Sequence, residues 1–201
     1  MRLKLFVLLF LGVGVWLIAH PASGQVAPAY QRQKTWPISV GVGLSNYAVD
    51  EGHGRMYGGT FWVDWLPGFL PSSLHGLGLE VEARDISLNR SSSQPNARED
   101  TAQGGPIYEW LHYDNFHPYA KFLYGQGSID FIGSSTYAHD TRSFWALGGG
   151  FEYRLYRQLW LRADYEHQRW QPLLGSNFIF KPQGFTVGVA YDFAHPRRQE
   201  R

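Results

Sequence analysis

Cysteine is absent from the 201-residue sequence, which excludes disulfides and thiolate metal sites. Neither sign of charge predominates. Lys and Arg number 18 against 17 Asp and Glu, so no bulk field recruits nucleic acid or an acidic partner. Past the first two dozen residues no apolar run is long enough to cross a membrane as a helix. No later segment carries helical periodicity either, so nothing is available to cover a sheet from one side. What the chain does have is aromatic residues, at 16%, and 23 glycines. That combination suggests a β protein with unusual surfaces.

The start is the one long apolar run. Arg2 and Lys4 precede "LFVLLFLGVGVWLIA" and then "HPASGQ". A basic end, an apolar stretch of about 15 residues and small residues at Ala22 and Gly24 make a cleaved export signal, 1–24. The mature chain then begins at Gln25, with a short N-terminal segment, 25–36, before the first strand.

Period-two alternation recurs along the rest. In "GFTVGVAYDF", Phe185, Val187, Val189, Tyr191 and Phe193 alternate with Thr186, Gly188, Ala190 and Asp192. This is a strand with one apolar and one polar face. The same pattern appears in "ISVGVGLS", "YGGTFWVDW", "LGLEVEAR", "PYAKFLYGQG", "ALGGGFEYRLY" and "LWLRADYEH". "PIYEWLHY" admits either phase, and the favoured one puts Tyr108, Trp110 and His112 on the apolar face with Glu109 opposite. Eight strands result, over 37–193, with a basic tail at 194–201. Long polar connections are expected at about Asn46–Gly54, Asp85–Gly105, Ser128–Thr141 and Arg169–Gln183. Short ones are expected between the other neighbours.

An even number of strands, each long enough to cross hydrocarbon when tilted, points to a closed antiparallel up-and-down transmembrane β-barrel. Closure leaves no unpaired backbone edge in lipid. The apolar faces would meet lipid, with Tyr57 and Trp65 near opposite ends of one strand as interfacial aromatics. The other face would line the lumen, where Glu80, Glu82, Arg84, Lys121, Glu152, Arg154, Arg162, Asp164 and Glu166 are expected to form an ion-pair network. The glycines of that face, among them Gly41, Gly127 and Gly148, would make room for it.

"HPYAKFLYGQG", "FWALGGGFEYRL", "LWLRADYEHQRW" and the "YDF" ending resemble the OmpA-like and opacity-like eight-stranded outer-membrane β-barrel family. The resemblance spans roughly Pro37 to Phe193. It implies the bacterial outer membrane with both termini periplasmic, lipid partners including lipopolysaccharide, and insertion by the barrel-assembly machinery. Tyr191 and Phe193 match the aromatics of the assembly signal in that family, although eight residues follow here.

No catalytic residue, metal site or cofactor is expected. His167 would face lipid near a strand end, as the histidine of lipid A deacylases does. Arg169, however, stands two residues on, where that pattern has serine, and a histidine without a nucleophile cannot run acyl transfer. Asp50, Glu51 and His53 read as a solvated loop rather than a metal site. The expected role is structural or surface interaction with an extracellular ligand not identified by the sequence. A small passive pore and a lipid A-modifying enzyme are the alternatives.

Overall fold

The computed structural model describes residues 37–48, 54–71, 74–88, 96–132, 137–173, 177 and 179–193. The export signal, the segment 25–36, the tail 194–201 and the trio Asp50, Glu51 and His53 lie outside the described residues.

Eight strands form one closed antiparallel barrel in chain order. They are β1 (Ile38–Ala48), β2 (Arg55–Trp65), β3 (Leu77–Leu88), β4 (Asn96–Glu109), β5 (Phe116–Ile132), β6 (Tyr137–Tyr156), β7 (Leu159–Trp170) and β8 (Gln183–Asp192). The ring shuts where β8 pairs with β1, with Val189 opposite Val42 and Tyr191 opposite Val40. Phe193 extends the seam, its backbone N–H donating to the Ile38 carbonyl at 3.0 Å. Both described ends of the chain therefore sit at one rim, here the terminal rim. The opposite one is the distal rim.

Burial alternates residue by residue along the strands, as a closed two-faced sheet requires. Val42, Leu44, Phe61, Leu79, Val81, Phe122, Leu147, Val187 and Val189 are exposed on the outer wall. The charged residues of the same strands are inside, with Asp64, Glu80, Glu82, Lys121, Arg162 and Glu166 buried. This is the inverse of a soluble barrel. Apolar side chains cover the outside, where hydrocarbon rather than water must be met.

Strand ends depart from the sequence reading. Asp85–Gly105 is not a long loop, because β3 continues to Leu88 and β4 already starts at Asn96. Likewise β5 and β6 reach Ile132 and Tyr137, so most of Ser128–Thr141 is strand. The cause is physical. Beyond the apolar belt the outer face of these strands is polar (Arg98, Asp100, Gln126), and the inner face of β4 carries Glu99, Thr101 and Gln103. On β4 both faces are then polar and the period-two contrast vanishes, while on β3 and β5 it inverts, with Ile86 and Ile129 turned inward; the pairing persists throughout. Connection lengths consequently do not separate the two rims. β4 also stops at Glu109, leaving Trp110 and His112 in the turn that follows.

Candidate functional site

The interior is layered. In its middle, Lys121 on β5 reaches two strands away on either side. Its ammonium donates to Glu80 at 2.9 Å and Glu82 at 2.8 Å on β3, and to Asp164 at 3.0 Å on β7. Glu166 follows at 3.4 Å. Arg162 donates to Asp64 at 2.9 Å, to Glu80, and to the Tyr119 hydroxyl at 2.7 Å. That hydroxyl donates onward to Asp164 at 2.9 Å. Arg84 pairs with Glu82 and, at 3.0 Å, with Glu166. Gln103 and Gln168 complete the layer by donating amide N–H groups to Glu166.

The guanidinium planes also meet rings. Arg84 lies 4.1 Å from the Tyr47 centroid, and Arg162 lies 4.8 Å from Trp62 and 4.5 Å from Tyr119. A desolvated cation over an aromatic face is stabilised by the ring quadrupole.

Of the nine expected lumen residues, Glu80, Glu82, Arg84, Lys121, Arg162, Asp164 and Glu166 are brought together within this layer. Glu152 is peripheral, at 3.8 Å from Arg162. Arg154 is not part of the network. It is half-buried nearer the terminal rim, where its guanidinium sits 4.6 Å over Trp160. Six residues of register separate it from Glu166, since Arg154 pairs with Trp160 and Gly148 with Glu166, and the indole beneath it takes the place of a carboxylate.

Asp64, Tyr119, Gln103 and Gln168 belong to the layer and were not among those nine. Alternation places Asp64 and Tyr119 inside. Gln103 lies in the stretch misread as loop.

Carboxyl groups exceed cations. Among the described residues eight buried acids, Asp64, Glu80, Glu82, Glu99, Glu109, Glu152, Asp164 and Glu166, face three buried cations, Arg84, Lys121 and Arg162. Glu99 is fully buried, and neither of its carboxyl oxygens has a hydrogen-bond partner.

Toward the distal rim the lumen changes character. Tyr47, Met56, Ile86, Leu123, Ile129, Phe144, Trp170, Leu173 and Phe180 pack into one buried apolar cluster. Trp170 stacks on Phe144 at 4.9 Å and meets Phe180 edge-on at 5.6 Å. The segment after β7 is folded inward to supply Leu173 and Phe180, tied by Trp170 N–H to the Phe180 carbonyl at 3.0 Å. The expected ion-pair network therefore fills only part of the interior. The distal part of the filling is an apolar plug, and Tyr47, Ile86, Ile129, Leu173 and Phe180 supply it from stretches expected to be loops.

The glycines serve the indoles as much as the charges. A Cβ placed on Gly41 collides with the Trp62 ring, and one on Gly127 collides with the Trp170 ring. A Cβ placed on Gly148 would come within 3.1 Å of the Lys121 stem.

Outside, above the apolar belt, the distal wall is polar. Arg98 pairs with Asp85 at 2.7 Å and Asp100 at 3.2 Å, and His139 lies 2.6 Å from Asp130. His167 is on the outer face, its ring 6.4 Å from Trp145, with no hydrogen bond to a hydroxyl or carboxylate among the described residues. No cluster of three or more metal-ligating side chains occurs among the described residues.

The family model described as outer membrane protein beta-barrel domain matches residues 16–193. No curated protein is a significant sequence relative. Among solved structures, Ail, the attachment invasion locus protein of Yersinia pestis, is similar with a TM-score of 0.55 and 15% identity, covering 77% of this chain and 96% of that one. Neisserial surface protein A is similar with a TM-score of 0.55 and 12% identity, covering 77% and 95%. At these identities the likeness is one of fold.

Proposed function

The chain belongs to the outer membrane protein beta-barrel family, and on that footing we propose that it is a non-enzymatic envelope protein whose distal rim faces outward and engages an extracellular ligand. One observation carries the reading. The lumen is closed twice, by the charged layer around Lys121 and by the apolar plug around Trp170, while a polar wall stands clear of the lipid belt. A barrel closed in this way has its outer surface to offer rather than a path. Exposed ion pairs such as Arg98–Asp85 are worth only about 0–1 kcal/mol each, so their partners can be exchanged for a ligand at little cost.

In this reading the export signal is cleaved after Gly24, both termini are periplasmic, and insertion runs through the barrel-assembly machinery with Tyr191 and Phe193 in its signal. Lipopolysaccharide and other outer-membrane lipids are the surrounding partners. The absence of cysteine makes the test clean. Ser87→Cys at the distal rim should react with an impermeant maleimide on intact cells, and Gln158→Cys at the terminal rim only after permeabilisation. Reversed labelling would refute the orientation. Stable single-channel steps from the purified protein in planar bilayers would instead favour a passive pore.

A further inference from the structure

The outer wall carries one feature that neither the belt nor the lumen uses. Where β5, β6 and β7 leave the apolar belt, a pocket of about 250 Å³ opens between the wall and the segment after β7. Tyr124, Trp145 and Arg169 line it from three adjacent strands. They form one row across the sheet, with Tyr124 opposite Trp145 and Trp145 opposite Arg169. Gln171 and Pro172 close the far side.

The pocket is preformed. Gln171 N–H donates to the Ser143 carbonyl at 3.0 Å, which pins the closing segment to β6. Trp145 is held between Phe122, stacked at 6.3 Å, and His167 at 6.4 Å. Behind the wall, the Phe144–Trp170 stack prevents inward collapse. Arg169 is exposed, and among the described residues it has no acidic partner.

We infer that this pocket binds a phosphorylated membrane lipid, with the phosphate on Arg169 and the upper acyl chain against Trp145 and Tyr124. Continuity argues for lipid. Below the row the wall turns apolar on β5 and β6 through Phe122 and Leu147, with His167 beside Leu147 on β7 and Tyr165 beneath it, so the pocket is the top of a face that already meets hydrocarbon. Its volume is below the roughly 300–1,000 Å³ of sites that enclose whole small molecules. It therefore takes part of a molecule whose remainder stays in the bilayer. Charge argues for phosphate, because an unpaired guanidinium at the headgroup level offers a planar donor fork that matches phosphate oxygens. Tyr and Trp are the side chains that tolerate this boundary, apolar on one side and wet on the other.

The inference rests on the membrane setting of the barrel and not on which rim faces outward, since symmetric vesicles present both leaflets alike. The full mature protein would be folded into phosphatidylcholine vesicles and titrated with phosphatidic acid carrying brominated chains. The quenching that disappears in Trp145→Phe isolates the site. Wild type should prefer phosphatidic acid over equally brominated phosphatidylcholine by about tenfold or more. Arg169→Gln should abolish that preference, Arg169→Lys, which keeps the charge without the planar fork, should weaken it to an intermediate value, and Arg98→Gln, in the polar wall, should leave it unchanged. No preference in wild type, or an unaltered preference in Arg169→Gln, overturns the site. Relief of quenching by millimolar inorganic phosphate would assign Arg169 to a free anion and overturn the lipid.

Discussion

Arg162 on β7 reaches across the lumen to Asp64 on β2 at 2.9 Å, joining two strands that share no backbone pairing. The pair is buried on both sides. Arg162→Met removes the cation and leaves Asp64 and Glu80 facing each other. A buried pair broken on one side costs about 3–5 kcal/mol. The expected result is a loss of that size in urea unfolding from vesicles, with an unchanged slope.

Gly41 and Trp62 make a second linked pair, because the indole fills the space that a Cβ on Gly41 needs. Gly41→Ala should destabilise by about 1–3 kcal/mol through overpacking. Trp62→Phe in the same chain should recover part of that loss. A double-mutant cycle measures the coupling, and strict additivity would mean that the ring does not occupy this space.

Depth on the outer wall is tested by moving one cation. Val189→Arg lies within the apolar belt and should cost about 2–4 kcal/mol if it sits near the bilayer midplane. Gln126→Arg lies on the polar wall beyond Tyr124. There the cost should be near zero. Equal effects of the two substitutions would contradict a lipid belt bounded below Gln126.

Glu99 and Glu82 are both buried carboxyl groups, and they should respond oppositely to amidation. Glu82 accepts from Arg84, Lys121 and Gln103. Glu82→Gln should therefore destabilise by roughly 3 kcal/mol. Glu99 has no donor on either oxygen. Amidation leaves the buried oxygen as unpaired as before but removes an uncompensated charge, so Glu99→Gln should be neutral or stabilising. Unfolding midpoints of the two variants in the same vesicles decide the point.

Much of this architecture was legible because lipid and lumen impose opposite demands on alternate residues. The phase of "LGLEVEAR" alone puts Glu80, Glu82 and Arg84 inside, and "LWLRADYEH" does the same for Arg162, Asp164 and Glu166. The distal part was less legible. Where "NAREDTAQGG" leaves the belt, Arg98 and Asp100 face water while Glu99 and Gln103 face the lumen, so no contrast marks a strand. The apolar plug was hidden for a related reason. Tyr47, Met56, Ile86 and Ile129 come from four different strands, and only the closed register makes them neighbours. Arg154 was misplaced because alternation gives a residue's face but not its height along the barrel.

The reach of Lys121 to acids on β3 and β7 has a mechanical meaning. Hydrogen bonds between neighbouring strands fix the circumference of a ring, yet a ring of fixed circumference can still flatten into an ellipse. Contacts from β5 to β3 and β7, and from β7 to β2, act as spokes. They resist flattening under the lateral pressure of the bilayer. Loss of one spoke should therefore soften the whole cross-section, so that strands far from the substitution exchange amide protons faster than those beside it would alone suggest.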